Sequence, residues 1–482
     1  MAGPRTMTRD QRLVLWIAVL ASFVSFLDGT VVTVALPAIQ RELGGGLTTQ
    51  QWIVDAYLVT LGALILVAGS LSDVFGRIRV ILAGLIGFGV TSVAIAIAPT
   101  AELLIVARAL QGVAGALLVP SSLALITATF RGPAQSRAIG IWTAATTSAM
   151  VAGPVLGGLS VDFLSWRLVF LINVVPIGVT LWLLAILKHH DVRPEAATVD
   201  WLGAMLCTVG LGGIVFALIE QPNLGWASPV IWAPMSIGIL SFAGFLVRQA
   251  VARDPMMPLG LFRVRNFWTG NLATAFIYGA LALNGFVVGV YLQQGAGLPA
   301  TLAGLATLPI TVLMIIFSSR VGTLAGRWGP RLFMTLGPLL MAVGAVLLLT
   351  VSPDFSYWTQ VLPSVIVFGL GLTLTVAPLT SAILGAIDPA HSGIASAINN
   401  AVSRVAGLIV IAMLAAIVGG SLDLDGFHRA AIVTAAMLAT GGLVSYAGIR
   451  NPPKQPTDAA GSPEAATPGA VGSSDRTDSA GG

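Results

Sequence analysis

Residues 69–79 read GSLSDVFGRIR, and residues 322–331 read GTLAGRWGPR. Gly69, Leu71 and Gly76 fall on Gly322, Leu324 and Gly329 at an offset of 253 residues, with Gly326 where the first copy has Asp73. A second echo pairs VPSSLALI at 119–126 with APLTSAIL at 377–384, and aligning Pro120 with Pro378 gives an offset of 258. Two echoes at similar offsets mean that the chain contains two related halves.

Both loops are flanked by apolar sequence. A stretch of roughly 20 apolar residues crosses about 30 Å of hydrocarbon at 1.5 Å per residue. Fourteen such spans are predicted, at 13–36, 50–70, 79–98, 103–127, 136–159, 167–187, 200–220, 229–248, 267–292, 302–325, 331–351, 358–384, 392–418 and 428–448. Helices are the open-ended elements that satisfy their own backbone in lipid. The first loop joins spans 2 and 3, and its echo joins spans 10 and 11. The repeat offset is therefore eight helices, which places two extra helices, spans 7 and 8, between two six-helix bundles.

Composition agrees with an all-α polytopic membrane protein. Apolar residues make up 56% of the 482 residues and charged residues 9%, with 55 glycines, against roughly 25% charged in an average soluble domain. Mean hydropathy is +0.92. Arg5, Arg9 and Arg12 precede the first apolar run, but that run is too long for a signal peptide, lacks a small-residue cleavage site and contains Asp28. It is read as a permanent first helix.

The cations set the orientation. With fourteen spans, 19 Lys and Arg fall on the side of the termini, and Arg41, Arg167 and Arg429 alone fall on the other. Arg108 and Arg404 lie inside spans. By the positive-inside rule both termini are cytoplasmic, in a multi-pass protein of the cytoplasmic (inner) membrane. The formal charge of +4 is spread over many short loops, which does not suggest a nucleic-acid partner. The expected division is a first bundle at 1–187, the two extra helices with their flanking loops at 188–265, a second bundle at 266–450, and a disordered tail at 451–482, rich in Pro, Ala, Ser and Thr.

Several function classes are disfavoured. Cys207 is the one cysteine, so no internal disulfide or cysteine-based metal cluster forms. His189, His190, His391 and His428 show no metal-ligand spacing with a carboxylate, and the adjacent pair reads as solvated. No GxxxxGK[ST] loop is present, so ATP is not the direct energy source. No Ser/His/Asp set suggests an enzyme, and no cofactor is expected.

Charges inside spans are the informative residues, because each costs at least about 2.5–3.5 kcal/mol on insertion scales. Asp28 lies roughly 12 Å from the outer end of its span, and Arg108 roughly 8 Å from that of span 4. The two can therefore meet. The pair reads either as a proton carrier whose proton affinity changes with conformation, or as a static ion pair holding spans 1 and 4. Asp73 and Arg77, four apart and next to Arg79, read as a charged turn supported by Gly69 and Gly76. In GPVLGG at 153–158, Gly153, Gly157 and Gly158 allow close helix approach and Pro154 removes a backbone donor, giving a kinked seam or ordinary packing. Asp55 and Glu220 lie near outer helix ends and are read as reaching water. Arg404 faces a cavity or pairs locally. Trp142, Tyr57, Phe276 and Tyr278 are candidate cavity aromatics, with lipid contact or packing as the competing reading.

In combination these motifs resemble the major facilitator superfamily, and within it the fourteen-helix drug:proton antiporters, over nearly the whole chain outside the tail. LDGTVVTVALPAI at 27–39 is similar to the first-helix signature of that family, GSLSDVFGRIR to the superfamily's signature loop, RALQGVAGA at 108–116 to the motif of helix 4, and GPVLGG to the antiporter motif of helix 5. WRLVFLINV at 166–174 and the Gly225-Trp226 pair resemble fourteen-helix members. The resemblance implies two six-helix bundles plus two extra helices. It also implies coupling of protons through Asp28 and Arg108, and a cytoplasmic latch at Gly69, Asp73, Gly76, Arg77 and Arg79. Its expected partners are the bilayer, protons and a small-molecule substrate, and its expected state is a monomer. Two positions depart: Ala149 stands where the antiporter motif has a further Gly, and Gly326 leaves the second loop without its acid. The implied function is proton-coupled export of lipophilic compounds, cations among them. Export of a single natural product or metabolite is the alternative, with uptake by symport a weaker one.

Overall fold

The computed structural model describes residues 7–187, 199–253, 255–388 and 391–451. His189, His190 and the expected tail beyond Asn451 lie outside the described residues. Among these the chain is helical with no strand. Thirteen helices are long and apolar enough to span a membrane: α1 (Arg9–Leu43), α2 (Leu47–Ser72), α3 (Arg77–Ala96), α4 (Ala101–Thr129), α6 (Leu168–Ile186), α7 (Trp201–Leu224), α8 (Pro229–Val251), α9 (Arg265–Gln294), α10 (Ala300–Trp328), α11 (Pro330–Thr350), α12 (Tyr357–Leu384), α13 (Gly393–Ala412) and α14 (Leu424–Gly448). The fifth expected span is the 32-residue helix α5 (Gly132–Phe163).

Helix ends follow local chemistry. Thr8 and Gln11 form a capping box at the start of α1. Asp200 and Asp423 accept the Gly203 and Gly426 N–H groups at the starts of α7 and α14. The two echoing loops close on Gly76 and Gly329, at φ +95° and +86°, a region that glycine enters without a Cβ clash.

The packing repeats with the sequence. α1 lies on α5 as α9 lies on α13; α2 lies on α4 as α10 lies on α12; α3 lies on α4 as α11 lies on α12. Each pair recurs eight helices later. The extra pair is a hairpin, in which Gly213 meets Pro234 O and Gly238 meets the backbone of Ile214 too closely for a Cβ. α7 attaches to the bundles through α2 and α13, and α8 packs chiefly on α7.

The halves join along α1–α9, α2–α13 and α5–α10. Loops alternate between a proximal end, which carries Arg9 and Arg450, and a distal end. Among the described residues, the hydrogen bonds between halves all lie toward the distal end. Gln51 donates to Ile411 O and Ala412 O, Gln293 donates to Val34 O, Gln294 to Gln40, and Asp162 accepts the Ala300 and Thr301 N–H groups. An apolar cluster there includes Leu36 and Ile39 from one half and Val290 and Tyr291 from the other. In the proximal part the clusters around Phe88 and around Phe368 each belong to one half, with the α2–α13 seam the exception. The distal end is closed in this conformation.

Candidate functional site

Five helices converge on one carboxylate. Asp28, on α1, is fully buried and Arg108, on α4, is 2% exposed. Arg108 donates to Asp28 Oδ2 at 2.5 Å. The other oxygen, Oδ1, accepts from Asn173 Nδ2 of α6 at 3.0 Å and from Gln111 Nε2 of α4 at 3.3 Å. Arg108 Nε also donates to Ile53 O of α2, and its NH1 to Gln111 Oε1. Gln111 donates onward to Ser92 of α3. Charge-assisted bonds of this kind are roughly twice as strong as neutral ones, and they offset the burial of both ions.

The sequence singles out Asp28 and Arg108 as charges in apolar spans, and the fold brings them together. It assigns nothing to Asn173, which sits where α6 breaks between Leu168–Leu171 and Val174–Ile186. The visible signal is an amide inside an apolar run. Tyr57, a candidate cavity aromatic, is instead 2% exposed. Its ring lies 4.3 Å from the Arg108 guanidinium, and its hydroxyl meets Ser25 at 3.1 Å.

Asp55 corrects an expectation. α2 starts at Leu47, so Asp55 stands about 12 Å inside the helix and does not reach water. It is fully buried, and neither carboxylate oxygen has a hydrogen-bond partner. Glu220 is part-exposed and accepts Trp52 Nε1 at 2.7 Å, tying α7 to α2.

The glycines of the helix 5 motif pack on both halves. A Cβ on Gly153 would collide with Thr30 of α1, and one on Gly157 would come 2.8 Å from Val31. On Gly158 it would come 2.5 Å from Thr301 Cα of α10, and on Gly304 it would strike Pro154 O. Small residues are what let backbones approach this closely in lipid. The motif therefore forms part of the distal closure, with Asp162 one turn beyond it.

In the first signature loop, Gly76 supplies the left-handed turn and Arg77 opens α3. Gly69 has open space around it, so its backbone freedom is not required by packing. The Asp73 side chain lies outside the described residues. Trp142 of α5 donates to Ser22 at 2.9 Å and meets Phe26 edge-on at 6.4 Å. Arg404 of α13 reaches across from the other half, with its guanidinium 5.7 Å from the Phe26 ring. Among the described residues no group of three or more His, Cys, Asp or Glu is arranged to hold a metal.

Two related bundles closed against each other at one end, the first of them holding a buried ion pair, define a multi-pass membrane transporter. The Major Facilitator Superfamily model matches residues 18–411, and the chain belongs to that family. It is 32% identical to the "Methylenomycin A resistance protein" of Bacillus subtilis (strain 168) over 84% of this chain and 87% of that one. It is 33% identical to the "Tetracenomycin C resistance and export protein" of Streptomyces glaucescens over 80% of this chain and 72% of that one. The structure is similar to a peptide transporter POT in complex with sulfate, with a TM-score of 0.68 at 16% identity, covering 92% of this chain and 95% of the other. At that identity the likeness speaks for the fold alone.

Proposed function

We propose that this protein exports small lipophilic compounds across the cytoplasmic membrane in exchange for protons, with the proximal end and both termini in the cytoplasm. The observation that carries the reading is the Asp28–Arg108 pair, a titratable carboxylate held at 2.5 Å from a guanidinium with both groups buried. Relatives described as resistance and export proteins support the direction of transport. The cation bias supports the orientation. The bundles at 1–187 and 266–450 act as the two moving bodies, with 188–265 outside the path.

The chemistry follows from the network. Protonating Asp28 removes the charge that Arg108, Asn173 and Gln111 converge on, so the acceptor that ties α4 and α6 to α1 becomes a weaker, neutral one. A proton and a substrate that favour different arrangements of these helices weaken each other's binding, and that coupling is antiport. Asp55, a second buried carboxyl in α2, is the next candidate carrier because an unpartnered buried carboxylate must be offset by a proton or a cation.

The test is efflux from proteoliposomes under an imposed pH gradient. Asp28→Asn mimics the protonated acid, and it is expected to keep fold and expression while losing gradient-driven export. Asp28→Glu retains part of the activity because the titrating group survives. Wild-type export by Asp28→Asn would end the coupling role. A pump-deficient bacterium, tested against a drug panel with and without the protein, then reads substrate breadth.

A further inference from the structure

Arg404 stands near the middle of α13, about 12 Å below Ala412. It is part-buried, and among the described residues it has no hydrogen bond and no ion pair. Its guanidinium lies 5.7 Å from the Phe26 ring of the opposite half, and its Cβ stands beside Gly62 of α2, also of that half. A part-exposed side chain at mid-span whose contact lies across the interface presents its remaining surface to the gap between the halves. Phe26 leans on Trp142. Tyr278 of α9 packs in the same cluster as Val402 and Val405. Asn400 precedes Arg404 by four residues, so the two share a helix face. Together they form an aromatic wall with one guanidinium and one amide.

The nearby carboxylates are withdrawn from this wall. Asp28 is fully buried, and its oxygens are taken by Arg108, Asn173 and Gln111. Asp55 is fully buried on α2. Glu220 is engaged by Trp52 near the distal end. The charge offered to a molecule between the halves is therefore positive. An intramembrane cation costs at least about 2.5–3.5 kcal/mol, and a ring face returns only part of that. A planar anion matches the remaining donors of the guanidinium fork.

We infer that Arg404, with Phe26 beside it and Trp142 against Phe26, is the anchor of a substrate site for aromatic or lipophilic anions, carboxylates above all, and discriminates against lipophilic cations. This deepens the export reading and rests on it for the direction of transport, not for the charge preference. Export of an anion against an entering proton moves two charges the same way. The membrane potential then drives transport in addition to the pH difference.

The probes are three pyrenes with one ring system: 1-pyrenecarboxylate, 1-pyrenemethylammonium and neutral 1-pyrenemethanol. Binding to the full-length protein in detergent is read by energy transfer from tryptophan. The wild type is expected to bind the carboxylate at least about tenfold more tightly than the ammonium, the worth of one charge-assisted contact. Arg404→Gln loses that tenfold for the carboxylate and leaves the neutral probe within about twofold, whereas Arg404→Lys keeps most of the preference. The inference fails if the wild type binds no carboxylate, if it prefers the ammonium, or if Arg404→Gln leaves the carboxylate unchanged. Should Arg404→Gln not fold, the wild-type ranking and Arg404→Lys decide. Proteoliposome export is read separately. A protein that binds the carboxylate yet moves no probe along a proton gradient overturns the exporter reading and leaves the anion site standing.

Discussion

Asp200 shows how one side chain organises a helix start at the proximal surface. It caps α7 through Gly203 N–H and holds α8 through Arg248 at 3.2 Å and Gln249 at 3.1 Å. Burial opposes its ionisation, but the Gly203 N–H, Arg248 and Gln249 together outweigh that and keep the carboxyl below the ordinary aspartate range. A depressed folded value means stability that is present above the unfolded pKa, about 3.9, and lost as pH falls through the folded value beneath it. Asp200→Asn keeps a capping side chain and removes the charge. It is expected to cost about 0.5–1 kcal/mol near pH 7, a small figure because Arg248 is 40% exposed. In SDS titrations of mixed micelles that gap should close at pH values below the aspartate range. A gap independent of pH would mean that the amide itself disturbs the cap. The same residue-level logic explains what could be read in advance. Asp28 and Arg108 announce themselves because charges in apolar spans are costly. Asn173, Gln111 and Ser92 do not, since neutral polar residues are ordinary in membrane helices. Asp55 reads as reaching water from its distance to an expected span end, and the earlier start of α2 at Leu47 overturns that.

At the scale of elements, the helices were legible because length and hydropathy together leave few alternatives, and the eight-helix offset already isolated the α7–α8 pair. The breaks were legible only in part. α10 is interrupted at Thr307, two residues before Pro309, a break that proline announces, whereas α13 stops at Ala412 before a short helix, Leu414–Val418, within apolar sequence where packing sets the interruption. The α7–α8 hairpin covers the α2–α13 seam from outside. Trp52 stacks near Phe216 at 5.9 Å and binds Glu220, and Asn223 donates to Thr48. Its apolar side reaches Val59 and Ile65 of α2 through Cys207, Leu211 and Val215. These contacts brace the bundles without turning the hairpin toward Asp28. Cysteines placed singly from Gly203 to Phe216 in a Cys207→Ser background are therefore expected to react with maleimide at rates that transported substrate does not change. Protection confined to one helix face would put α7 in the transport path.

At the scale of the whole molecule, orientation and conformation decide function together. A reporter active only in the periplasm should score when fused at Asn223, and stay silent after Arg193 and after Arg450; activity at either of the last two would reverse the proposed topology. Given that orientation, the closed distal end faces outside, and substrate enters from the cytoplasm. Opening the outside must then break the contacts that cross between halves there. Among the described residues Asp162 is the one carboxylate in these contacts, accepting Ala300 N–H at 3.0 Å and Thr301 N–H at 2.7 Å, and the glycines before it bring α5 close enough for that reach. Removing this acceptor lowers the stability of the outside-closed state without touching Asp28. Bonds to charged groups contribute about 1.5–3 kcal/mol each, so even a fraction of that moves the balance between states by about tenfold. The expected result for Asp162→Ala is faster labelling of a buried distal position by a membrane-impermeant maleimide added outside. Val290→Cys in the Cys207→Ser background is a suitable reporter, since Val290 is fully buried in the distal cluster. Export should slow at the same time, because the inward-open state that loads substrate becomes less populated. Unchanged labelling would mean that the apolar cluster around Leu36, Ile39 and Tyr291 holds the outside closed by itself, and that Asp162 serves only to cap α10.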